Sequence, residues 1–308
     1  MDGPKTIEVP SRRFGTYRVT TKLGEGGMAE VFLAEAIDER GEQIRVALKL
    51  MKRGVSDEVF NNEADLMGLL SHPNLVQRLE VGQGYGRPYI AMEFLVGGDL
   101  AEVMQAHHRE TKEFPTGMGV HITIEVLRGL AYFHQAQTRS GTPLRLIHGD
   151  VNPSNVFFSG EGQVKLGDFG VAKSGAVQVG PREQIAGKLH YLSPEQTRGE
   201  ALSPASDLFA VGTMLYEMVV GYHPFQVKGG KPEDVMAAIR TGKPVFPDYV
   251  DKRLVAILKR ALHPEVGGRF RSAGEFAGQL LQYALDSGAH LTAASVRAWL
   301  ETTLDLLT

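Results

Sequence analysis

The spacing of apolar and polar residues changes once along this chain, near Leu100. Between Tyr17 and Leu100, short runs with β-branched residues alternate with glycine turns, a pattern typical of strands. The runs are YRVTTKL, EVFLAEA, QIRVALKL, LVQRLEVGQ and PYIAMEFL. One stretch, from Ser56 to Leu70, has its apolar residues at helical spacing instead. This part of the chain is therefore predicted to be a small sheet with one helix.

Beyond Leu100 the apolar positions follow helical spacing or fill both faces of a helix, as in 119–135 and 207–220. We therefore predict an α+β fold with two lobes, a small antiparallel β-sheet lobe with one helix and a larger, mainly helical lobe. The segment VGGDL at 96–100 carries the glycines of a flexible joint. A cleft between two lobes is a common ligand site. The expected boundaries are an N-terminal extension at 1–13, a small lobe at 14–95, a hinge and large lobe at 96–285 and a helical tail at 286–308.

Composition narrows the classes of function. The net charge of −3 gives no general attraction to nucleic acid or an anionic membrane, so a phosphate site must be built locally. The chain has no cysteine, which excludes disulfides and thiolate metal sites. No apolar run approaches the roughly 18 residues of a membrane span, and the N-terminus lacks the apolar core of a signal peptide. The default expectation is a soluble, cytoplasmic protein.

A glycine-rich stretch, LGEGGMAEV at 23–31, lies between two predicted strands. Gly24 and Gly26 would let backbone N–H groups approach phosphate oxygens closely. A dinucleotide-binding motif needs a helix directly after the glycines, but VFLAEA is predicted to be a strand, and the Walker pattern GxxxxGK[ST] is absent. Glycine pairs are also common in plain hairpins, so this stretch alone does not decide the function.

A lysine and a glutamate are predicted to meet behind this stretch. Lys49 ends the strand VALK, and Glu63 follows fourteen residues later on the predicted helix. A buried lysine needs such a partner, although an isolated pair of this kind is more often a surface ion pair.

Three further motifs follow in a fixed order. They are HGDVNPSN at 148–155, DFG at 168–170 and SPE at 193–195, with the spacing of the kinase signature set. With these motifs the chain resembles the Hanks-type, eukaryotic-like serine/threonine protein kinases. The segments GEGGMAEV and YLSPEQ are similar to those of the bacterial branch of this family. The resemblance covers about residues 14 to 285. Five short patterns in one order make it more specific than any single motif.

The resemblance implies an enzyme that binds ATP and Mg²⁺ and transfers the γ-phosphoryl group to a serine or threonine of a protein substrate. Lys49, paired with Glu63, would hold the α- and β-phosphates. Asp150 would orient the substrate hydroxyl and accept its proton. Asn155 and Asp168 would bind Mg²⁺.

The resemblance also implies a nucleotide site made of the glycine-rich loop, the hinge backbone, an adenine sandwich and a ribose contact. Its residues are Leu23, Gly24, Glu25, Gly26, Gly27, Val31, Ala47, Lys49, Met92, Glu93, Leu95, Asp99 and Phe157. Met92 would be the gatekeeper, and Asp99 would lie near the ribose.

Structural roles are implied for four other residues. His148 would pack beneath the phenylalanine of DFG, and Asp207 would anchor the catalytic loop. Glu195 and Arg269 would form a buried ion pair that ties the activation segment to the helical lobe.

The sequence departs from the kinase pattern at three positions. Gly149 replaces the arginine before the catalytic aspartate, Asn152 replaces the lysine two residues after it, and Lys188 replaces the threonine that follows Gly187. Without the arginine and with Ser174 as the only serine or threonine between 171 and 192, we expect no control by phosphorylation of the activation segment. We expect Lys188 to supply the charge lost at Asn152 and count it as catalytic.

Two alternatives remain. HGD also occurs in the aminoglycoside and choline kinase relatives, which phosphorylate small molecules, but these lack the whole activation segment with the Arg269 partner. A pseudokinase scaffold is favoured by Asn152. It is opposed by the presence of five residues of the kinase pattern, Lys49, Glu63, Asp150, Asn155 and Asp168.

The C-terminal tail carries an apolar stripe. Thr292 can cap a helix whose Val296, Trp299, Leu300 and Leu304 fall on one face. The stripe is expected either to dock on the helical lobe or to meet a partner protein or a second copy of the chain.

Overall fold

The computed structural model of the chain describes residues 13–38, 40–109, 113–169, 173–174, 189–227, 231–289 and 291–304. They form two compact units. The first comprises the residues up to Ser71 together with Val76–Leu95, and the second comprises His72–Leu75 and the residues from Val96 onward.

The first unit is an antiparallel sheet with one helix. Its elements are β1 (Arg13–Phe14), β2 (Tyr17–Glu25), β3 (Ala29–Ile37), β4 (Gln43–Met51), α1 (Asp57–Leu69), β5 (Arg78–Gly84) and β6 (Arg87–Glu93). Among the described residues the sheet has six strands in the order β1-β2-β3-β4-β6-β5. The predicted small β-sheet lobe with one helix is confirmed.

One face of this sheet forms an apolar core. It contains Phe14, Tyr17, Val19, Phe32, Ala34, Ala36, Val46, Leu48, Leu50, Tyr89 and Ala91. Side chains alternate along a strand, so Ala47 and Lys49 of β4 point to the opposite face. Directly paired residues point the same way, which places Val31 beside Lys49 and Met92 beside Ala47 on that face.

Helix α1 lies within the predicted range 56–70. The Ser56 side chain accepts a hydrogen bond from the N–H of Val59 and caps the helix, and Leu70 ends it in an extended conformation. Local sequence therefore determines both ends of the helix that carries Glu63.

The second unit is mainly helical, as predicted. Its helices are α2 (Leu100–Arg109), α3 (Thr116–His134), α4 (Pro194–Arg198), α5 (Pro204–Val220), α6 (Pro232–Thr241), α7 (Lys252–Ala261), α8 (Ala273–Asp286) and α9 (Ala293–Leu304). Its strands are β7 (Leu146–Ile147), β8 (Val156–Phe158), β9 (Val164–Leu166) and β10 (Lys173–Ser174), which pair antiparallel as β8 with β9 and β7 with β10. Within the described ranges, no helix is both long and apolar enough to cross a bilayer.

Helix α5 begins three residues earlier than predicted. Ser203 is the N-cap, and Pro204 occupies the first helical position, where its missing N–H has no intrahelical partner to lose. The earlier start places Asp207 in the first turn of the helix.

The glycines of the 96–100 segment serve close packing. Gly97 donates its N–H to the carbonyl of Phe158 at 2.9 Å, and the N–H of Phe158 donates to Gly98 at 3.0 Å. A Cβ on Gly97 would lie 2.7 Å from the Cβ of Phe158, and Gly98 has a φ of +72°. Close contact with β8 therefore explains Gly97, and a left-handed backbone explains Gly98. The sequence alone suggested a flexible joint as the reason for both glycines.

The tail helix α9 packs against other elements of the second unit, to which it belongs. Thr292 accepts a hydrogen bond from the N–H of Ser295 at 3.3 Å, which confirms the predicted cap. Val296 and Leu300 are buried, and Trp299 stacks on His107 of α2 with ring centroids 5.4 Å apart. Contacts within the same unit thus cover the described part of the stripe, while the side chain of Leu304 lies outside the described residues.

Candidate active site

In the first unit, Lys49 and Glu63 form an ion pair. The Nζ of Lys49 lies 2.5 Å from the Oε1 of Glu63, and Glu63 is 5% exposed. A carboxylate at this depth is stable only with a partner, because desolvation penalises an isolated charge. The contact predicted from the sequence is present, and its burial distinguishes it from an ordinary surface pair.

The glycine-rich loop connects β2 to β3. Gly26 donates its N–H to the carbonyl of Ala29 at 2.8 Å. No heavy atom of the described residues lies within 4 Å of a Cβ built on Gly24, and the nearest to one on Gly26 is 3.8 Å away. The backbone φ of neither residue is left-handed. The fold itself thus does not require glycine here, which fits a backbone kept clear for a ligand.

Charged side chains hold the flanks of this loop. Glu25 forms ion pairs with Lys22 and with Lys52, both at 2.5 Å. The hydrogen bond from Lys22, supported by Lys52, lowers the pKa of Glu25 to about 2. The carboxylate of Glu25 therefore faces two lysines of its own unit.

The other residues of the first unit that are predicted to bind the nucleotide lie in the strands of the sheet or directly beside them. Leu23, Gly24 and Glu25 end β2, Gly26 and Gly27 form the turn, Val31 lies in β3, Ala47 and Lys49 in β4, Met92 and Glu93 in β6, and Leu95 two residues after β6. The N–H of Glu93 donates to the carbonyl of Gln77 at 3.1 Å, which fixes the backbone at the end of β6.

Asp99 and Phe157 belong to the second unit and form an antiparallel backbone bridge. Asp99 also caps α2 from the position before it, where its Oδ1 accepts from the N–H of Glu102 at 2.9 Å and its own N–H donates to the Glu102 side chain. Burial, with the nearby charge of Glu102, raises the pKa of Asp99 to about 6. The D-x-x-E spacing at 99–102 could have predicted this capping box.

Asp207 anchors the loop that leads to Asp150, as predicted. Its Oδ2 accepts the N–H of His148 at 2.9 Å, and its Oδ1 accepts the N–H of Gly149 at 2.8 Å. His134 at the end of α3 adds a contact of 2.8 Å to Oδ2. The sequence did not indicate His134, because its contact with Asp207 spans 73 positions.

His148 has the predicted structural role. Its Nδ1 accepts a hydrogen bond from the N–H of Asp150 at 3.3 Å, so its Nε2 carries the proton and donates to the carbonyl of Gly167 at 3.1 Å. The ring lies edge-on to Phe169, with centroids 5.7 Å apart. His148 therefore connects the loop of Asp150 to the residue before Asp168.

Gly149 has a φ of +74°, a conformation that costs other residues about 1–2 kcal/mol. Its carbonyl accepts a hydrogen bond from the Nε2 of Gln196 at 2.9 Å, and its N–H is held by Asp207. The backbone conformation thus favours the glycine that replaces the expected arginine. The S-x-x-Q spacing of Ser193 and Gln196 predicts a capping box, which α4 has, but carries no signal for the contact with Gly149.

Two asparagines hold the Asp150 carboxylate. The Nδ2 of Asn152 lies 3.1 Å from Oδ1, and the Nδ2 of Asn155 lies 3.1 Å from Oδ2. Both amides also donate to the backbone carbonyl of Asp150, at 2.9 and 2.7 Å. Asn152 and Asn155 are 4% and 5% exposed. Each carboxylate oxygen therefore receives one amide donor from a buried side chain.

Asn155 and Asp168 lie at the same end of the β8–β9 hairpin. Val156 pairs with Leu166, and the carbonyl of Asn155 accepts the N–H of Gly167 at 2.9 Å. The amide nitrogen of Asn155 is used by Asp150, which leaves its side-chain oxygen as the atom suited to a cation. Carboxylate and amide oxygens are the hard ligands that Mg²⁺ prefers, so these residues fit the predicted metal site.

Asp168 has a left-handed backbone, with a φ of +61°. Aspartate and asparagine tolerate this region better than most residues, and such strain is often found at functional sites. The sequence motif DFG does not reveal the conformation. Gly170, Gly187 and Lys188 lie outside the described residues.

The comparisons with known proteins agree with this geometry. The family model described as "Protein kinase domain" matches residues 17–282. This chain therefore belongs to the protein kinase family.

Similar proteins are bacterial kinases. The chain is 35% identical over 87% of its length to the tyrosine-protein kinase MasK of Myxococcus xanthus, and 32% identical over 88% to the serine/threonine-protein kinase PksC of Streptomyces coelicolor. It is 31% identical over 86% of its length to the serine/threonine-protein kinase PknJ of Mycobacterium tuberculosis. These matches span 43%, 49% and 44% of the relatives, so the chain corresponds to less than half of each.

Proposed function

We propose that this protein kinase uses ATP and Mg²⁺ to phosphorylate serine or threonine in a protein substrate. The observation that carries the proposal is the assembly of Asp150 and Asn155 by direct hydrogen bonds, with Asp168 at the same hairpin end. Because ATP is a cytoplasmic metabolite, we also propose that the described units act in the cytoplasm.

In the second unit, Asp150 orients the substrate hydroxyl and accepts its proton. Asn155 and Asp168 would hold Mg²⁺ through their side-chain oxygens, and the ion would neutralise charge on the triphosphate. Phosphoryl transfer requires mainly positioning and countercharge, and both asparagine contacts serve the positioning of Asp150.

In the first unit, Lys49 binds the α- and β-phosphates while Glu63 holds its ammonium group. The backbone near Gly24 and Gly26 approaches the phosphates, since neither residue has a packing reason to be glycine. Val31, Ala47 and Met92 share a sheet face with Lys49 and would contact the adenine. In the second unit, Phe157 would contact the adenine and Asp99 the ribose.

Lys188 is proposed to supply the positive charge that Asn152 does not carry. A preorganised donor at the reacting phosphate contributes about 2–4 kcal/mol to transition-state stabilisation. Lys188→Met should therefore lower kcat on the order of a hundredfold or more with little change in ATP binding. An unchanged kcat would refute this assignment.

Two alternatives, a tyrosine-directed kinase and a pseudokinase scaffold, are tested in the same assay. A tyrosine-directed kinase is suggested by the name of the Myxococcus xanthus relative. A pseudokinase scaffold is suggested by Asn152, whereas a small-molecule phosphotransferase is disfavoured because the family match extends through the activation segment to residue 282.

The test is transfer of labelled γ-phosphate from ATP to the protein itself and to a generic basic protein, with and without Mg²⁺. Asp168→Asn is the matched control, because asparagine also tolerates the left-handed backbone and should fold. Phosphoserine or phosphothreonine formed by wild type alone supports the proposal. Phosphotyrosine favours the tyrosine-directed kinase. If neither protein is labelled in the presence of Mg²⁺, the pseudokinase scaffold is favoured.

A further inference from the structure

Asn152 stands where the kinase pattern has a lysine, and its side chain makes two kinds of contact. Its Oδ1 accepts a hydrogen bond from the N–H of Ser154 at 3.0 Å and caps the short 3-10 turn Pro153–Asn155. Its Nδ2 donates to the carbonyl of Asp150 at 2.9 Å and to the Oδ1 of Asp150 at 3.1 Å. The oxygen and the nitrogen of one amide thus serve different partners.

These contacts fix the orientation of the amide. A flipped Asn152 would place its oxygen against the acceptor oxygens of Asp150 and its NH₂ against the N–H of Ser154, so all three hydrogen bonds would be lost. The residue is 4% exposed, which limits replacement of these bonds by water. The geometry therefore permits one arrangement.

We propose that Asn152 is a positioning residue that holds the Asp150 carboxylate in the orientation needed to accept the proton of the substrate hydroxyl. The proposal rests on the proposed function and adds a specific task for a residue that departs from the family pattern. Of the two carboxylate oxygens, Asn155 donates to Oδ2 and Asn152 donates to Oδ1, so the two amides together restrain rotation of the carboxylate.

A lysine could not reproduce this arrangement. Its ammonium group has three donors and no acceptor, so it cannot accept the N–H of Ser154, and its long stem holds the group less rigidly. An asparagine can cap the 3-10 turn with its oxygen and, at the same time, donate to Asp150 with its uncharged amide nitrogen. The loop thereby keeps Asp150 oriented without a cation at this position.

The competing explanation is that Asn152 is only a cap. Asparagine and serine are both good caps, because each offers an oxygen to a backbone N–H. Asn152→Ser keeps that oxygen, adds no charge and is too short to donate to Asp150. Asn152→Ala removes both contacts, and Ser272→Ala removes the cap of α8, where the Ser272 side chain accepts the N–H of Glu275 at 3.1 Å.

The experiment measures kcat, the KM for ATP and the unfolding midpoint of the full chain for these variants. We expect Asn152→Ser to lower kcat on the order of tenfold to a hundredfold, with KM within about twofold and the midpoint close to wild type. Asn152→Ala should lower both kcat and the midpoint, and Ser272→Ala the midpoint alone. Wild-type kcat in Asn152→Ser would overturn the proposal.

A second readout does not depend on activity. The side-chain amide signal of Asn152 in an ¹⁵N NMR spectrum is identified by its loss in Asn152→Ser. Its hydrogen exchange should be slow in wild type and should be faster in Asp150→Ala, which removes the Oδ1 acceptor and keeps the carbonyl acceptor of residue 150. Fast exchange in wild type would overturn the contact. The two readouts also separate the proposals. If wild type transfers no phosphate but its Asn152 amide exchanges slowly and depends on Asp150, the proposed function is refuted and the contact between Asn152 and Asp150 is supported.

Discussion

Arg269 donates two parallel hydrogen bonds to Glu195, each 2.8 Å long, although the residues are 74 positions apart in the chain. Both side chains are buried, and Ser206 donates a further hydrogen bond to the same carboxylate at 2.6 Å. Burial by itself would raise the pKa of Glu195, but the hydrogen bonds and charge of Arg269 outweigh it and lower the pKa. The buried pair expected from the sequence is confirmed.

The first prediction is that Glu195→Gln destabilises the protein by about 3–5 kcal/mol, because it leaves the Arg269 charge buried without a counter-charge. Chemical unfolding measures this loss. Glu301→Gln is the control, since Glu301 pairs with Arg297 on the exposed surface of α9 and should cost less than about 1 kcal/mol. Equal effects of the two substitutions would contradict the prediction.

The same pair gives a dependence on pH. A carboxyl group whose pKa is lower in the folded state stabilises the fold above its ordinary pKa, and this contribution is lost as the pH falls through the folded pKa. For Glu195 the ordinary value is 4.5. The difference between wild type and Glu195→Gln should therefore be complete at neutral pH and shrink below pH 4.5.

The second prediction concerns Gly162, which has a φ of +81° and faces the first turn of α9. An added Cβ would overlap the carbonyl oxygen of Ala293 and lie 2.6 Å from the backbone nitrogen of Arg297. Gly162→Ala should therefore displace α9 and expose Trp299, the only tryptophan of the chain. A red shift of tryptophan emission is the expected signal.

Gly141 is the matched control for Gly162. Its φ is +84°, but the nearest atom to an added Cβ is 3.9 Å away. Gly141→Ala should cost about 1–2 kcal/mol of backbone strain and leave the emission unchanged. Identical emission spectra for the two variants would show that α9 does not rest on Gly162.

The third prediction uses the buried cap of α2. Asp99 has a pKa raised to about 6 from 3.8, so its charged form destabilises the folded state, and stability falls as the pH rises between these values. Asp99→Asn keeps a good cap and removes the charge. The variant should be more stable than wild type at pH 7.5, and the gain should shrink through pH 6 and disappear below pH 3.8.

Asp251 provides a control of opposite sign. It caps α7 by accepting the N–H of Arg253, and a hydrogen bond from the Arg253 side chain lowers its pKa. Asp251→Asn should therefore lower stability at pH 7.5. A thermal unfolding series across pH measures both variants, and parallel curves for wild type and Asp99→Asn would be inconsistent with the buried charge.

The fourth prediction is that phosphorylation of the activation segment does not switch this kinase on. Gly149 carries no guanidinium group to bind a phosphate, and Ser174 is the only serine or threonine between 171 and 192. Tyr191 donates its hydroxyl to Glu217 at 2.5 Å, so this hydroxyl is already engaged.

The test compares kcat before and after phosphatase treatment, and between wild type and Ser174→Ala. Both should leave kcat within about twofold of the untreated wild type. Loss of activity on phosphatase treatment, with the essential phosphate mapped to residues 171–192, would contradict the expectation.

Local patterns predicted much of the fold because its elements carry their own signals. Ser56 caps α1 where the helical spacing begins, and the alternation in VALK places Lys49 opposite the apolar core. The order of HGD, DFG and SPE was sufficient for the family, because few chains combine these residues in one sequence.

Contacts between distant segments could not be predicted in this way. The left-handed backbone at Gly149 is held by Gln196 and Asp207, 47 and 58 positions away. At position 152 the sequence indicates only the absence of a lysine, whereas the structure shows that Asn152 donates a hydrogen bond to Asp150. Spacing identifies which residues are present, but only the folded chain shows which atoms they contact.

The most direct test of the central claim is the rate of γ-phosphoryl transfer from Mg²⁺-ATP to protein, compared between wild type and Asp150→Asn. The substitution keeps the size of the side chain and removes the carboxylate that accepts the proton. Its single amide oxygen cannot accept from both Asn152 and Asn155, so a small loss of stability is expected, and the rates are compared below the unfolding temperature of both proteins. Wild type should transfer phosphate about 10²–10⁴ times faster, the usual contribution of a positioned base. Equal rates in the two folded proteins would contradict the assignment of Asp150 and the catalytic site built around it.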